Sequence, residues 1–217
     1  SVDRVARLLE ADPAQVNARD DQGSTPLIHA AMYADEAVVR LLLEKGADPN
    51  AKNDTGVTAL MQVTNSVAKA RELLEAGAEV NAQSDIGNTP LSRAAVYADG
   101  TPLVQLLLEH HADVNLCNSF GDSPLIAAAI SGNLDTLRLL LDHGAKIDAP
   151  RCDGFTPLFW AVMQGHVKTA ELLLSRDANA SAPTRDGLTP LAFVQSMESL
   201  PNRNGIIALL QRHGAVQ

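Results

Sequence analysis

Aromatic side chains make up only 3% of this 217-residue chain. A core built on large rings is therefore excluded, and small and medium aliphatic groups must fill the interior. Cysteine is nearly absent. Cys117 and Cys152 are the only two, fewer than a small secreted disulfide scaffold carries, so both are expected as reduced thiols. No apolar run reaches the ~18 residues of a membrane span. Basic residues are in deficit, and the net charge is −9. Such a surface repels phosphate backbones and anionic lipid, which argues against nucleic acid and membrane as partners. A protein partner carrying a basic patch would be attracted. The scarcity of cysteine suits the cytoplasm, although a cleaved export signal would leave no trace in these residues.

What the chain has in abundance is one repeated phrase. Gly-X-Thr-Pro-Leu, or a close variant, begins at Gly23, Gly56, Gly87, Gly121, Gly154 and Gly187, at steps of 33, 31, 34, 33 and 33 residues. A period of this size marks a solenoid whose units stack on their neighbours. In the unit from Asp20, the run Asp20-Asp21-Gln22-Gly23 is turn chemistry. Thr25 is placed to cap a helix, with Pro26 at its first position. Leu27, Ala30 and Ala31 share one helical face. Val38, Leu41 and Leu42 mark a second amphipathic helix, which Gly46 closes. The unit is turn, short helix, longer helix, extended loop.

These residues resemble the ankyrin repeat family. The resemblance rests on Gly-X-Thr-Pro-Leu, the following Ala-Ala, the Leu-Leu-Leu block, Gly-Ala and Asp-X-Asn, and it covers nearly the whole chain. It implies an all-α ankyrin-repeat solenoid of stacked antiparallel helix pairs with β-turn or hairpin fingers. The expected division is one domain over 1–217, with a half repeat at 1–19 and repeats at 20–52, 53–83, 84–117, 118–150, 151–183 and 184–217. Val2 to Ala11 is a second helix without its first, so the natural protein is expected to extend upstream.

Departures from the phrase carry information. His111 and Asp177 stand where the family usually has a left-handed glycine. In the second repeat Ala59 replaces proline, Val63-Thr64 replaces Ala-Ala, Glu72 replaces a core leucine, and two residues are lost between the helices. A shortened helix and an irregularity over 56–86 are expected. In the third repeat, Thr101 is expected to cap the second helix, ahead of Pro102.

No catalytic, cofactor or metal residues are assigned. The sequence has neither a phosphate-binding Gly loop with its Lys nor a Cys-X-X-Cys pair. His110, His143 and His213 each sit just before the residue that closes a second helix. Neighbouring repeats lie ~10 Å apart, too far for shared zinc ligands at about 2 Å, whereas a ring donor suits a helix C-terminus. Asn50, Asn81 and Asn115 recur between repeats, where the family's asparagine ties the loop down.

The resemblance further implies partner binding along a concave side made by the fingers and first helices. The variable positions there carry Tyr33, Ile86, Tyr97, Phe120, Phe155 and Leu188, and Trp160 lies on a first helix close by. Aromatics are the usual anchors of interfaces. The expected function is a non-catalytic protein–protein interaction module, monomeric, acting as adaptor, targeting unit or inhibitor. The alternative is a regulatory segment of a larger enzyme or channel.

Overall fold

A hydroxyl followed by proline opens five short helices in this chain. Each hydroxyl accepts a hydrogen bond from the main-chain N–H three residues on: Thr25 from Ile28, Thr89 from Ser92, Ser123 from Ile126, Thr156 from Phe159 and Thr189 from Ala192, at 3.1–3.4 Å. The prolines lose nothing there, because a first-turn N–H has no intrahelical partner. The computed structural model describes residues 2–215, and no strand occurs among them.

Two compact units result, Ser1–Ala94 with Pro102–Asp113, and Ala95–Thr101 with Val114–Gln217. The first contains α1 (Val2–Ala11), a 3₁₀ turn over Pro13–Asn17, α2 (Pro26–Tyr33), α3 (Glu36–Glu44), α4 (Ala59–Gln62) and α5 (Val67–Glu75). The division runs through α6 (Pro90–Val96), and α7 (Thr101–Glu109) falls almost wholly in the first unit. The second contains α8 (Pro124–Ser131), α9 (Leu134–Asp142), α10 (Pro157–Met163), α11 (Val167–Ser175), α12 (Pro190–Ser196) and α13 (Arg203–Arg212).

Within the first unit α2 packs on α4, and α3 on α1 and α5. Within the second, α8, α10 and α12 form one row, while α9, α11 and α13 form another. Leu27, Ala31, Val39, Leu42, Leu60 and Leu73 are buried in the first unit. Leu125, Ala128, Leu140, Leu158, Leu173 and Leu210 are buried in the second. Phe159 is fully buried, with its ring 5.4 Å from that of Phe193.

Helices this short leave many carbonyls unpaired at their C-termini, and side chains of the following repeat reach them. Lys69 Nζ donates to the Ala31 and Ala34 carbonyls (2.8 and 3.1 Å), although partial burial pulls its pKa below 10.5. Asn133 Nδ2 donates to Tyr97 and Ala98, and Asn202 Nδ2 to Gly165. The loop asparagines form a second series. Asn17, Asn50, Asn81 and Asn115 each donate to the carbonyl of the left-handed residue one repeat on: Gly46, Gly77, His111 and Gly144. Each also accepts from the N–H two residues beyond that carbonyl. His111 and Asp177 do adopt φ of 64° and 65°. His143 Nδ1 lies 2.8 Å from the Leu139 carbonyl and donates to it at the helix end.

The second repeat absorbs its two missing residues by halving its first helix, and α4 spans only Ala59–Gln62. Thr58 occupies the cap position, but its Oγ1 is buried without a partner. Arg93 Nε donates to the Met61 carbonyl at 2.6 Å, covering the early helix end. Two expectations need correction. Glu72 does not sit in the core; its position is half-exposed, and its Oε1 accepts from Arg40 on the preceding second helix at 2.6 and 2.8 Å. Thr101 does not stand ahead of α7 but begins it, with its hydroxyl 2.8 Å from that of Thr136.

Two stability predictions follow from these bonds. Thr156→Val should cost about 1 kcal/mol by removing a cap, whereas Thr58→Val should be neutral or stabilising by ~1 kcal/mol, because its hydroxyl is buried unpaired; denaturant midpoints of the two variants compare them directly. At the fifth step of the asparagine series stands Asp148, which accepts from Asn179 N but has no N–H to give the Asp177 carbonyl. Asp148→Asn should supply it and raise stability by about 0.5–1 kcal/mol, seen as a higher unfolding midpoint.

Candidate functional site

Each repeat projects one finger, and all six fingers close by the same main-chain bond. The first finger residue donates its N–H to the carbonyl four residues on, as in Asp20 to Ser24, Asn53 to Val57, Asn118 to Asp122, Arg151 to Phe155 and Thr184 to Leu188. Successive fingers within a unit are then stitched together. Asp54 N donates to Gln22 O and Asp85 N to Thr55 O in the first unit; Cys152 N donates to Phe120 O and Arg185 N to Asp153 O in the second. Such close approach needs glycine. A Cβ on Gly23 would stand 2.1 Å from Asp54 Oδ1, and one on Gly154 would stand 2.5 Å from Arg185 N. Both glycines also have φ beyond 70°.

Most fingers are further held by the side chain of their first residue. Asp20, Asn53 and Asn118 each accept two main-chain N–H bonds of their own finger, and Ser84 and Thr184 accept one each. The His29 ring at 2.7 Å, then the Ser24 and Gln22 amides, hold the Asp20 carboxyl below its ordinary 3.8. That support is complete above 3.8 and is lost as pH falls through the lower folded value.

On this frame Tyr33 (76%), Ile86 (48%), Tyr97 (36%), Phe120 (52%) and Leu188 (37%) stay exposed. Tyr33 ends α2, beside a groove lined by Val5, Pro26, His29, Ala30, Val38 and Leu42. Ile86 and Phe120 are the third residues of their fingers, and Leu188 follows the finger glycine. Phe155 and Trp160 are half-buried and are engaged with one another, with centroids 5.7 Å apart. Phe155 also meets Phe159 edge-on at 4.7 Å. Phe120, by contrast, lines an open hollow with Ser119, Arg151, Cys152, Asp153 and Arg185. Cys117 and Cys152 are exposed thiols. No group of three His, Cys, Asp or Glu is arranged to hold a metal among the described residues.

Arg151 is not among the residues that the finger pattern singles out. In the structure its guanidinium lies over the Trp160 ring at 5.4 Å, with Asp122 at 3.4 Å and Asp153 at 3.5 Å. The signal was present: the other five fingers begin with Asp, Asn, Ser or Thr. Exposed Leu8 on α1 (59%) was also passed over, because it lies outside the finger positions.

The sequence model of the family described as ankyrin repeats matches three times, over residues 1–84, 47–116 and 91–186. Among solved structures, an ankyrin repeat domain from Acinetobacter baumannii AYE is similar at 31% identity and TM-score 0.76, covering 88% of this chain and 98% of its own. The ankyrin repeat domain of Bcl-3, described as a member of the IkappaB protein family, is similar at 29% identity and TM-score 0.76, covering 96% of this chain and 91% of its own. A Caenorhabditis elegans homologue of transient receptor potential cation channel subfamily A member 1 is 51% identical over 53 residues, 24% of this chain and 4% of the channel. The chain spans no more than a tenth of the length of the curated relatives it matches. No helix among the described residues is long and apolar enough to cross a membrane. Fold, repeat phrase and family match agree, and the chain belongs to the ankyrin repeat family.

Proposed function

We propose that this chain is a non-catalytic protein-binding module that contacts its partner through finger tips and the C-terminal ends of first helices within a unit. The observation that carries the reading is the exposure of Tyr33, Ile86, Tyr97, Phe120 and Leu188 at those positions. A finger tip made only to be soluble gains nothing from a phenyl or isoleucyl group, and desolvating one against a partner contributes about 1.5–3 kcal/mol. Finger aspartates Asp21, Asp54 and Asp85 are exposed in the first unit, which suits basic groups on the same partner. Phe155 and Trp160 support these positions, packing on one another, with Phe155 also against Phe159, so they shape the surface more than they contact the ligand.

A second reading, a regulatory segment within a larger protein, draws support from the much greater length of the curated relatives, one of them a channel homologue. Adaptor, targeting and inhibitory roles all use the same contact face.

The test begins with a partner captured by the immobilised chain and identified by mass spectrometry. Tyr97→Ala combined with Phe120→Ala should lower its affinity by at least ~2 kcal/mol in calorimetry. The unfolding midpoint should hold, because both side chains are exposed. Wild-type affinity in the double variant would place the partner elsewhere.

A further inference from the structure

The fingers change charge along the chain. At the first finger position the residues run Asp20, Asn53, Ser84, Asn118, Arg151, Thr184; at the second they run Asp21, Asp54, Asp85, Ser119, Cys152, Arg185. In a chain of net charge −9, two cations have come onto the last two fingers, where the first three carry carboxylates.

The hydrogen bonding that shapes the fingers calls for neither arginine. The first finger position calls for an acceptor, and a guanidinium carries donors only. In the fifth finger Asp153 Oδ1 takes over, accepting from Phe155 N at 3.2 Å. Arg151 Nε is buried with no hydrogen-bond partner, and its two carboxylate neighbours stand at ion-pair distance only. Asp122 Oδ1 and Trp160 Nε1, beside it, are likewise buried and unbonded. Three of the four such atoms among the described residues therefore belong to Arg151 and two of its neighbours. Arg151 Nε and Asp122 Oδ1 face one another as an ion pair, so Trp160 Nε1 is the atom of this cluster left without a counterpart. Arg185 is exposed and makes no ion pair among the described residues. Both arginines line the hollow of about 250 Å³ that also holds Phe120, Ser119, Cys152 and Asp153.

We infer that this hollow is a specificity pocket for a carboxylate side chain, an Asp or Glu that adjoins an apolar residue on the partner polypeptide. Arg185 supplies the forked donors that match a carboxylate. Arg151, whose charge is met by Asp122 and Asp153, shapes the wall of the hollow, and the uncompensated positive charge there is that of Arg185. Phe120, half-exposed on the rim, packs the neighbouring apolar group. The inference rests on the protein-binding reading above and adds a polarity to it. The ligand presents acid to the fifth and sixth fingers, although the chain as a whole is acidic.

The test is selection of a displayed library of random 12-residue peptides on the immobilised 217-residue chain. Enriched peptides should carry Asp or Glu next to an aliphatic or aromatic residue. A synthetic copy of the most enriched one should lose at least tenfold in affinity on Arg151→Gln with Arg185→Gln, and should weaken as NaCl is raised. Arg138→Gln, a control on the second-helix side of α9, should leave it unchanged. Because Arg151→Gln acts on a packed cluster, Arg185→Gln alone, on an exposed unpaired side chain, guards against a folding artefact and should still cost several-fold. Selection on Arg185→Glu should turn the enriched residues from acidic to basic. Peptides without acidic preference, or affinities indifferent to both arginines, would overturn the pocket. If Phe120→Ala still abolishes binding in that case, the interaction face stands and only the charge assignment falls. If Phe120→Ala is also silent, both are lost.

Discussion

Main-chain polar groups that short helices cannot pair for themselves govern this architecture. A helix of seven or eight residues has four N–H groups at one end and four carbonyls at the other without intrahelical partners, so most of its backbone must be satisfied from outside. The N-terminal ends are met locally, by Thr25, Thr89, Ser123, Thr156 and Thr189. The C-terminal ends are met by the next repeat, through Lys69, Arg93, Asn133 and Asn202. The loops are met by the asparagine series from Asn17 to Asn115. A single repeat would leave these groups bare as well as exposing its apolar face, which is why stability must be shared between neighbours.

The same constraint separates structural from available positions. Caps, finger glycines, loop asparagines and the aliphatic spine are tied to fixed places in the period. The third finger residue and the residues after the small pair are not, and there Phe120, Ile86, Tyr33 and Tyr97 project into solvent. Arg151 is the instructive exception, because it occupies a tied position without the acceptor that position uses. The fifth finger keeps its main-chain closure from Arg151 to Phe155, and Asp153 takes over part of the side-chain role. A departure that weakens local bonding and leaves polar atoms unpaired is of the kind expected at functional sites.

Legibility in the sequence followed the range of the interaction. Helix starts at Thr-Pro and left-handed ends at His111 and Asp177 were readable, because capping and backbone sterics act over a few residues. That a helix of the second repeat is short was readable from the missing residues, but that it is the first was not. Glu72 was misread because a repeat pattern reports the usual residue and not its burial; the leucine position it fills is half-exposed, and Arg40 comes from a full repeat earlier. Thr101 was misplaced because its hydroxyl is drawn to Thr136 in the following repeat. Among the candidate contact residues, Phe155 and Trp160 looked like Phe120 in sequence. Ring packing, of Phe155 on Phe159 and of Trp160 on Phe155, is what separates them.

The finger tips are where charge can most readily be changed in such a scaffold. Inter-finger bonding uses main-chain N–H and C=O groups, from Asp54 to Gln22 and from Arg185 to Asp153 alike. The bond is indifferent to whether the second finger residue is an aspartate or an arginine. Side-chain charge at that position is therefore free of the fold's demands, and a gradient from Asp21 to Arg185 costs the scaffold little. Electrostatic complementarity chiefly sets approach and orientation, while desolvated apolar anchors hold the complex. Within the second unit the charge at the Arg185 tip is thus set independently of the main-chain bond to Asp153 that seats it.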